Sequence, residues 1–116
     1  MTVLDTYFEL SDRAIQDESA LQELVDLFAD DAEILPSGAD KVKGKANIEQ
    51  LYRRFFNTYE GVQRVWQTRR TEQGIEATWA IAGKKNSGEI FSIRGTHIAE
   101  INEHGKIESL EVQVAP

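Results

Sequence analysis

The sequence predicts a single α+β domain: three N-terminal helices packed on one face of a curved antiparallel sheet, which forms a cone with an interior pocket. Three observations predict it. Apolar residues recur at helical spacing as far as Tyr59, the period switches to two from Val62 onward, and separators bearing Gly or Asn divide the second half into four strands. A chain of 116 residues is the size of one domain, and at that size roughly two thirds of the surface exposed in the unfolded chain is buried.

Thr2 and Asp5 make a capping box ahead of Leu4, Tyr7, Phe8, Ser11, Ala14 and Ile15, which share one helical face, so a first helix ends near Ile15. Ser19 and Gln22 repeat the box, and Leu21, Leu24, Val25 and Phe28 line one face of a second helix that stops near Ala29. Asp30 and Asp31 would repel the negative end of that helix, so they are expected to turn the chain into a short extended segment, Ala32 to Leu35. Pro36 closes it, and a loop follows to Gly44. Ile48, Leu51, Tyr52, Phe55 and Tyr59 define a third helix from about Lys45 to Tyr59, with Gly61 as its stop signal.

The four strands read as about 62 to 71, 75 to 82, 89 to 102 and 106 to 114. Alternation sends Ala77, Trp79 and Ile81, then Phe91, Ile93, Gly95, His97, Ala99 and Ile101, then Leu110, Val112 and Val114 to the inner face. Glu76, Arg94, Glu111 and Gln113 face outward.

Twenty acidic against 13 basic residues give a net charge of −7 spread along the chain, which repels phosphate backbones and argues against a nucleic-acid partner. Without Cys the chain has no disulfide, thiolate nucleophile or Cys-based zinc site, and a reducing cytoplasm is the expected compartment. No apolar run is long enough to cross a membrane, and the N-terminus reads as unprocessed.

Four short stretches, Leu27 to Ala32 (Leu-Phe-Ala-Asp-Asp-Ala), Gly44 to Ile48 (Gly-Lys-Ala-Asn-Ile), Ala77 to Trp79 and Gly105 to Ile107, occur in an order that resembles the nuclear transport factor 2-like superfamily. Within it, the SnoaL-like polyketide cyclases and the ketosteroid isomerases are the similar branches, and the likeness spans nearly the whole chain. It implies the cone; it does not imply one activity, because the superfamily holds isomerases, cyclases, dehydratases and binding modules. Ketosteroid isomerase chemistry needs a carboxylate base, a Tyr and a protonated Asp. By the same resemblance, the base falls at Pro36, the tyrosine near Leu10 or Ser11 with Tyr7 one turn early, and the Asp at His97. That activity is therefore not expected.

His97 is the candidate catalytic residue: an imidazole can donate to a carbonyl when neutral or take a proton near neutral pH. The alternative is a core histidine bonded to a backbone carbonyl or to Tyr52 or Tyr59. Tyr52, Phe55, Tyr59, Trp79, Phe91 and His97 are the expected ligand-binding residues, with Trp66 as a further aromatic, walling a cavity for a small apolar or carbonyl-bearing molecule. They also suit a solid core. Glu33 and Asp40 flank the expected mouth and are the candidate replacements for the missing base, or else solvated loop charges. His104 lies in the last turn, with no metal-ligand cluster around either histidine, and no cofactor motif is present. The outer sheet face, with Val65, Ile98, Arg94 and Thr96, suits pairing of two copies into a homodimer. The leading expectation is a small-molecule-binding SnoaL-like domain; the alternatives are a cyclase, isomerase or dehydratase using His97, and a docking module with a filled cone.

Overall fold

The capping box forms in the computed structural model, which describes residues 1–116. Thr2 Oγ1 accepts from Asp5 N at 3.3 Å and Asp5 Oδ2 accepts from Thr2 N at 2.7 Å, starting α1 (Val3–Ala14). Asp5 also ties α1 to the sheet, since its carboxylate accepts from Trp66 Nε1 at 2.9 Å and from Thr68 Oγ1. Burial alone would raise the Asp5 pKa, but these hydrogen bonds and those from Thr2 outweigh it and hold the carboxyl below its ordinary value.

The second helix, α2 (Glu18–Val25), differs from expectation at both ends. Its cap is Asp17, whose side chain accepts from Ser19 N, and it stops four residues before Ala29. The chain enters β1 (Phe28–Leu35) at once, so Asp30 and Asp31 are exposed strand residues rather than a turn. A register shift between Phe28 and Glu33 accounts for this, because a bulge lets two consecutive residues face water and breaks the alternation a regular strand would show. The expected loop contains a two-residue strand, β2 (Val42–Lys43), paired with β1. Next, α3 (Lys45–Asn57) buries Ile48, Tyr52 and Phe56, and it ends two residues before Tyr59.

Tyr59 and Gly61 belong to β3 (Tyr59–Arg70), which is followed by β4 (Gly74–Lys85), β5 (Ile90–Ile101) and β6 (Ile107–Val114). The sheet is six-stranded, in the order β2-β1-β6-β5-β4-β3. It is not purely antiparallel: β1 runs parallel to β6, the one parallel pair. The helix α3 between β1 and the meander, together with the long meander itself, gives the chain the length such a return requires. Gly88 (φ 96°) and Gly105 (φ 79°) supply the left-handed turn positions between the last strands.

The inner-face assignment of the middle strands holds. Ala77, Trp79, Ile81, His97, Ala99 and Leu110 are buried, with Ile75 and Ile107 added. α1 and α2 close one part of the concave face around Phe8, Phe28 and Leu24. Under α3, and against β4, β5 and β6, the concave face stays open.

Candidate functional site

Inside the cone lies a cavity of about 190 Å³ lined by 15 residues. Tyr52, Phe55, Tyr59, Trp79, Phe91 and His97 all line it, as do Tyr7 and Arg64. Half-exposed Phe55 (39 %), Ile93 (40 %) and Val114 (39 %) make its rim apolar. Trp66 is not part of the wall; it packs against Phe8 and is held by Asp5. Glu33 and Asp40 are also outside it, with Glu33 paired to Lys41 and Lys43. His104 is exposed in its turn, and no group of three His, Cys, Asp or Glu side chains converges to hold a metal.

His97 owes its place to the β4–β5 register. Ala77 lies opposite His97 and Trp79 opposite Gly95, so the indole reaches diagonally along the inner face to the imidazole. Trp79 Nε1 donates to His97 Nδ1 at 2.7 Å, and Tyr7 Oη lies 3.3 Å from Nε2. An indole N–H can only donate, so Nδ1 is bare and the neutral ring carries its proton on Nε2, directed at Tyr7. Burial, reinforced by the Arg64 charge, lowers the His97 pKa to about 3.

The relay continues. Tyr7 and Tyr52 hydroxyls are 2.6 Å apart. Tyr7 accepts from His97 and still has a proton to give, and either hydroxyl can donate in the Tyr7–Tyr52 bond. With Tyr7 as the donor, the Tyr52 O–H is left without a partner in the chain, at the wall of the cavity. Desolvation raises both tyrosine pKa values, Tyr52 well above its ordinary value, so the pair stays un-ionised. The chain of bonds Trp79 to His97 to Tyr7 to Tyr52 thus ends at the Tyr52 hydroxyl, on the cavity wall.

The inner position of Arg64 was missed in the sequence, since a charged residue on a strand reads as outward-facing. Its register between Val62 and Trp66 is the signal that could have found it. The side chain is 7 % exposed, its Nε donates to Asp12 Oδ1 at 2.9 Å, and its guanidinium carbon lies 5.1 Å from the Phe8 ring centre and 5.7 Å from that of Trp79. Tyr7, one turn early by the family pattern, reaches the site because its ring crosses from α1 to meet both His97 and Tyr52.

Three helices on a curved mixed sheet with an aromatic cavity between them define the nuclear transport factor 2-like (NTF2-like) class of cone. An NTF2-like protein of unknown function from Exiguobacterium sp. 255-15 matches with a TM-score of 0.89 and 31 % identity over 98 % of each chain. This protein belongs to the NTF2-like family. Its fold is shared by a proposed polyketide cyclase of Pseudomonas putida KT2440 (TM-score 0.82, 16 % identity, 99 % of each chain). A Mycobacterium tuberculosis protein in complex with estradiol-17β-hemisuccinate has it too (TM-score 0.73, 18 % identity, 91 % of this chain and 88 % of that one). No protein-family model and no curated protein sequence matches the chain. No helix is long and apolar enough to cross a membrane.

Proposed function

We propose that this NTF2-like domain binds a small apolar molecule carrying a carbonyl or other acceptor, which Tyr52 meets with its free O–H. The observation that carries the reading is the un-ionised Tyr7–Tyr52–His97 relay at the wall of an otherwise apolar cavity. Its size limits the ligand: an engineered apolar cavity of about 150 Å³ accepts benzene, so about 190 Å³ suits one ring with a short substituent. The steroid-ester complex of the mycobacterial protein is a precedent for ligand binding by this fold.

His97 acts in this reading as the fixed second link of the relay. Both ring nitrogens have protein partners and its pKa is about 3, which does not suit a proton shuttle near neutral pH. The enzyme alternative would need a second acid or base across the cavity, for which Glu33, Asp40 and Tyr52 are the candidates: Glu33 and Asp40 do not line it, and Tyr52, which does, is held un-ionised by burial.

Acetophenone is the test ligand. Titration calorimetry is expected to detect binding to the wild type and a roughly three- to tenfold weaker affinity for Tyr52→Phe, the worth of one neutral hydrogen bond. Wild-type protein that ignores acetophenone and benzamide alike would refute the reading.

A cytoplasmic homodimer completes it. The outer sheet face presents Val65, 71 % exposed, among Thr78, Ala80, Arg94 and Thr96. A Val65→Lys change at the centre of a contact between copies is expected to shift the mass measured by light scattering from dimer to monomer. A wild type that is monomeric at high concentration would remove this contact.

A further inference from the structure

The cavity contains one permanent charge, and it is a cation with unused donors. Arg64 is 93 % buried, as its side-chain exposure of 7 % states. Of the five N–H bonds of a guanidinium, the Nε–H alone has a protein partner, Asp12. The four on Nη1 and Nη2 have none. No carboxylate lines the cavity, and of the other polar groups on its wall His97 is kept neutral by burial while Tyr7 and Tyr52 stay un-ionised.

Asp12 offsets this charge only in part inside the cone. It stands on α1, outside the lining set, and is 27 % exposed. The fields differ accordingly: Arg64 acts on His97, Tyr7 and Tyr52 alike, whereas Asp12 is felt at Tyr7 only. A buried cation with unpaired donors facing an apolar space is costly unless an acceptor occupies that space.

We propose that Arg64 is the anchor of a carboxylate, so that the ligand of this cavity is a small aromatic or apolar carboxylic acid in its ionised form. Two Nη–H bonds match the two oxygens of a carboxylate, the geometry that favours Arg over Lys. The ring or alkyl body of the ligand then packs on Phe55, Tyr59 and Phe91, and any further acceptor reaches Tyr52. The inference rests on the cavity being a binding site and adds the charge of what it takes.

Benzoate and its neutral isostere benzamide separate the two claims. The full chain at pH 7 is expected to bind benzoate at least roughly tenfold more tightly than benzamide, as charge-assisted bonds require. Arg64→Met is expected to remove the preference while retaining benzamide. Asp12→Asn, which leaves Arg64 in place and frees it from its competitor, is expected to tighten benzoate several-fold and leave benzamide unchanged; it keeps the test available should Arg64→Met not fold. Equal binding of the two probes, or a benzoate preference unmoved by Asp12→Asn, overturns the anchor while leaving the cavity reading intact. Absence of binding by acetophenone, benzamide and benzoate overturns both.

Discussion

Acidification from pH 7 to pH 4.5 is expected to remove about 3 kcal/mol of stability through His97 alone, at 1.36 kcal/mol per unit over the two units below its unfolded pKa. In the unfolded chain the ring binds a proton near its ordinary value of 6.5, whereas in the fold burial first, and Arg64 second, hold it neutral to about 3. The unfolded state therefore takes up the proton first as the pH falls. The stabilisation is fully present above 6.5 and is lost progressively down to about 3. Urea unfolding of the wild type and of His97→Gln at several pH values measures it. The stability gap between the two proteins should shrink by about that 3 kcal/mol across the interval, because the carboxylates common to both cancel in the difference. A gap independent of pH would show that the ring titrates normally in the fold, and an imidazole carbon resonance that shifts between pH 7.5 and 5 would say the same.

At neutral pH the same residue contributes to stability rather than costing it. Replacement by Leu strands the Trp79 indole N–H in the interior, and an unsatisfied buried donor costs about 1–3 kcal/mol. Both ring nitrogens are used, and their partners are Trp79 and Tyr7 rather than the backbone carbonyl, Tyr52 or Tyr59 expected of a core histidine.

The middle of the sheet was legible because β4 alternates without a break and β5 does so from Gly95 to Ala99, which puts Trp79 and His97 on the inner face. β1 was only half legible. Its bulge sets Asp30 and Asp31 side by side on the wet face, which reads as a turn when regular alternation is assumed. Its parallel pairing with β6 leaves no mark in the sequence, since partners this far apart in the chain are brought together by α3 and the whole β3–β5 meander between them. The aromatic half of the cavity was visible as a list of residues on helix and strand faces. The polar half was not, because it is assembled from four separate elements: Tyr7 on α1, Tyr52 on α3, Arg64 on β3 and His97 on β5. No local pattern encodes a hydrogen bond between residues 90 positions apart. Phe56, buried next to the cavity-lining Phe55, went unread because it lies at the edge of the apolar stripe of α3.

Gly95→Ala is expected to destabilise the protein by about 3 kcal/mol, combining overpacking with the loss of one buried hydrogen bond. Gly95 pairs with Trp79 on one side and Val114 on the other. A Cβ there would collide with the backbone carbonyl oxygen of Gln113 and stand 2.7 Å from Trp79 Cζ2. The carbonyl cannot yield without parting β5 from β6, so the indole has to take much of the displacement. Cζ2 is two bonds from Nε1, the atom that fixes the His97 tautomer, and pushing it moves the first link of the relay. The consequence reaches the cavity: acetophenone affinity should fall along with stability, although residue 95 does not line the cavity. Gly61→Ala supplies the control, since a Cβ there meets nothing within 4 Å and is expected to change stability by no more than about 0.5 kcal/mol. Matching urea midpoints for the two alanine variants would mean that the close approach at Gly95 is relieved freely, and that the relay does not depend on the absence of a side chain at this crossing of three strands.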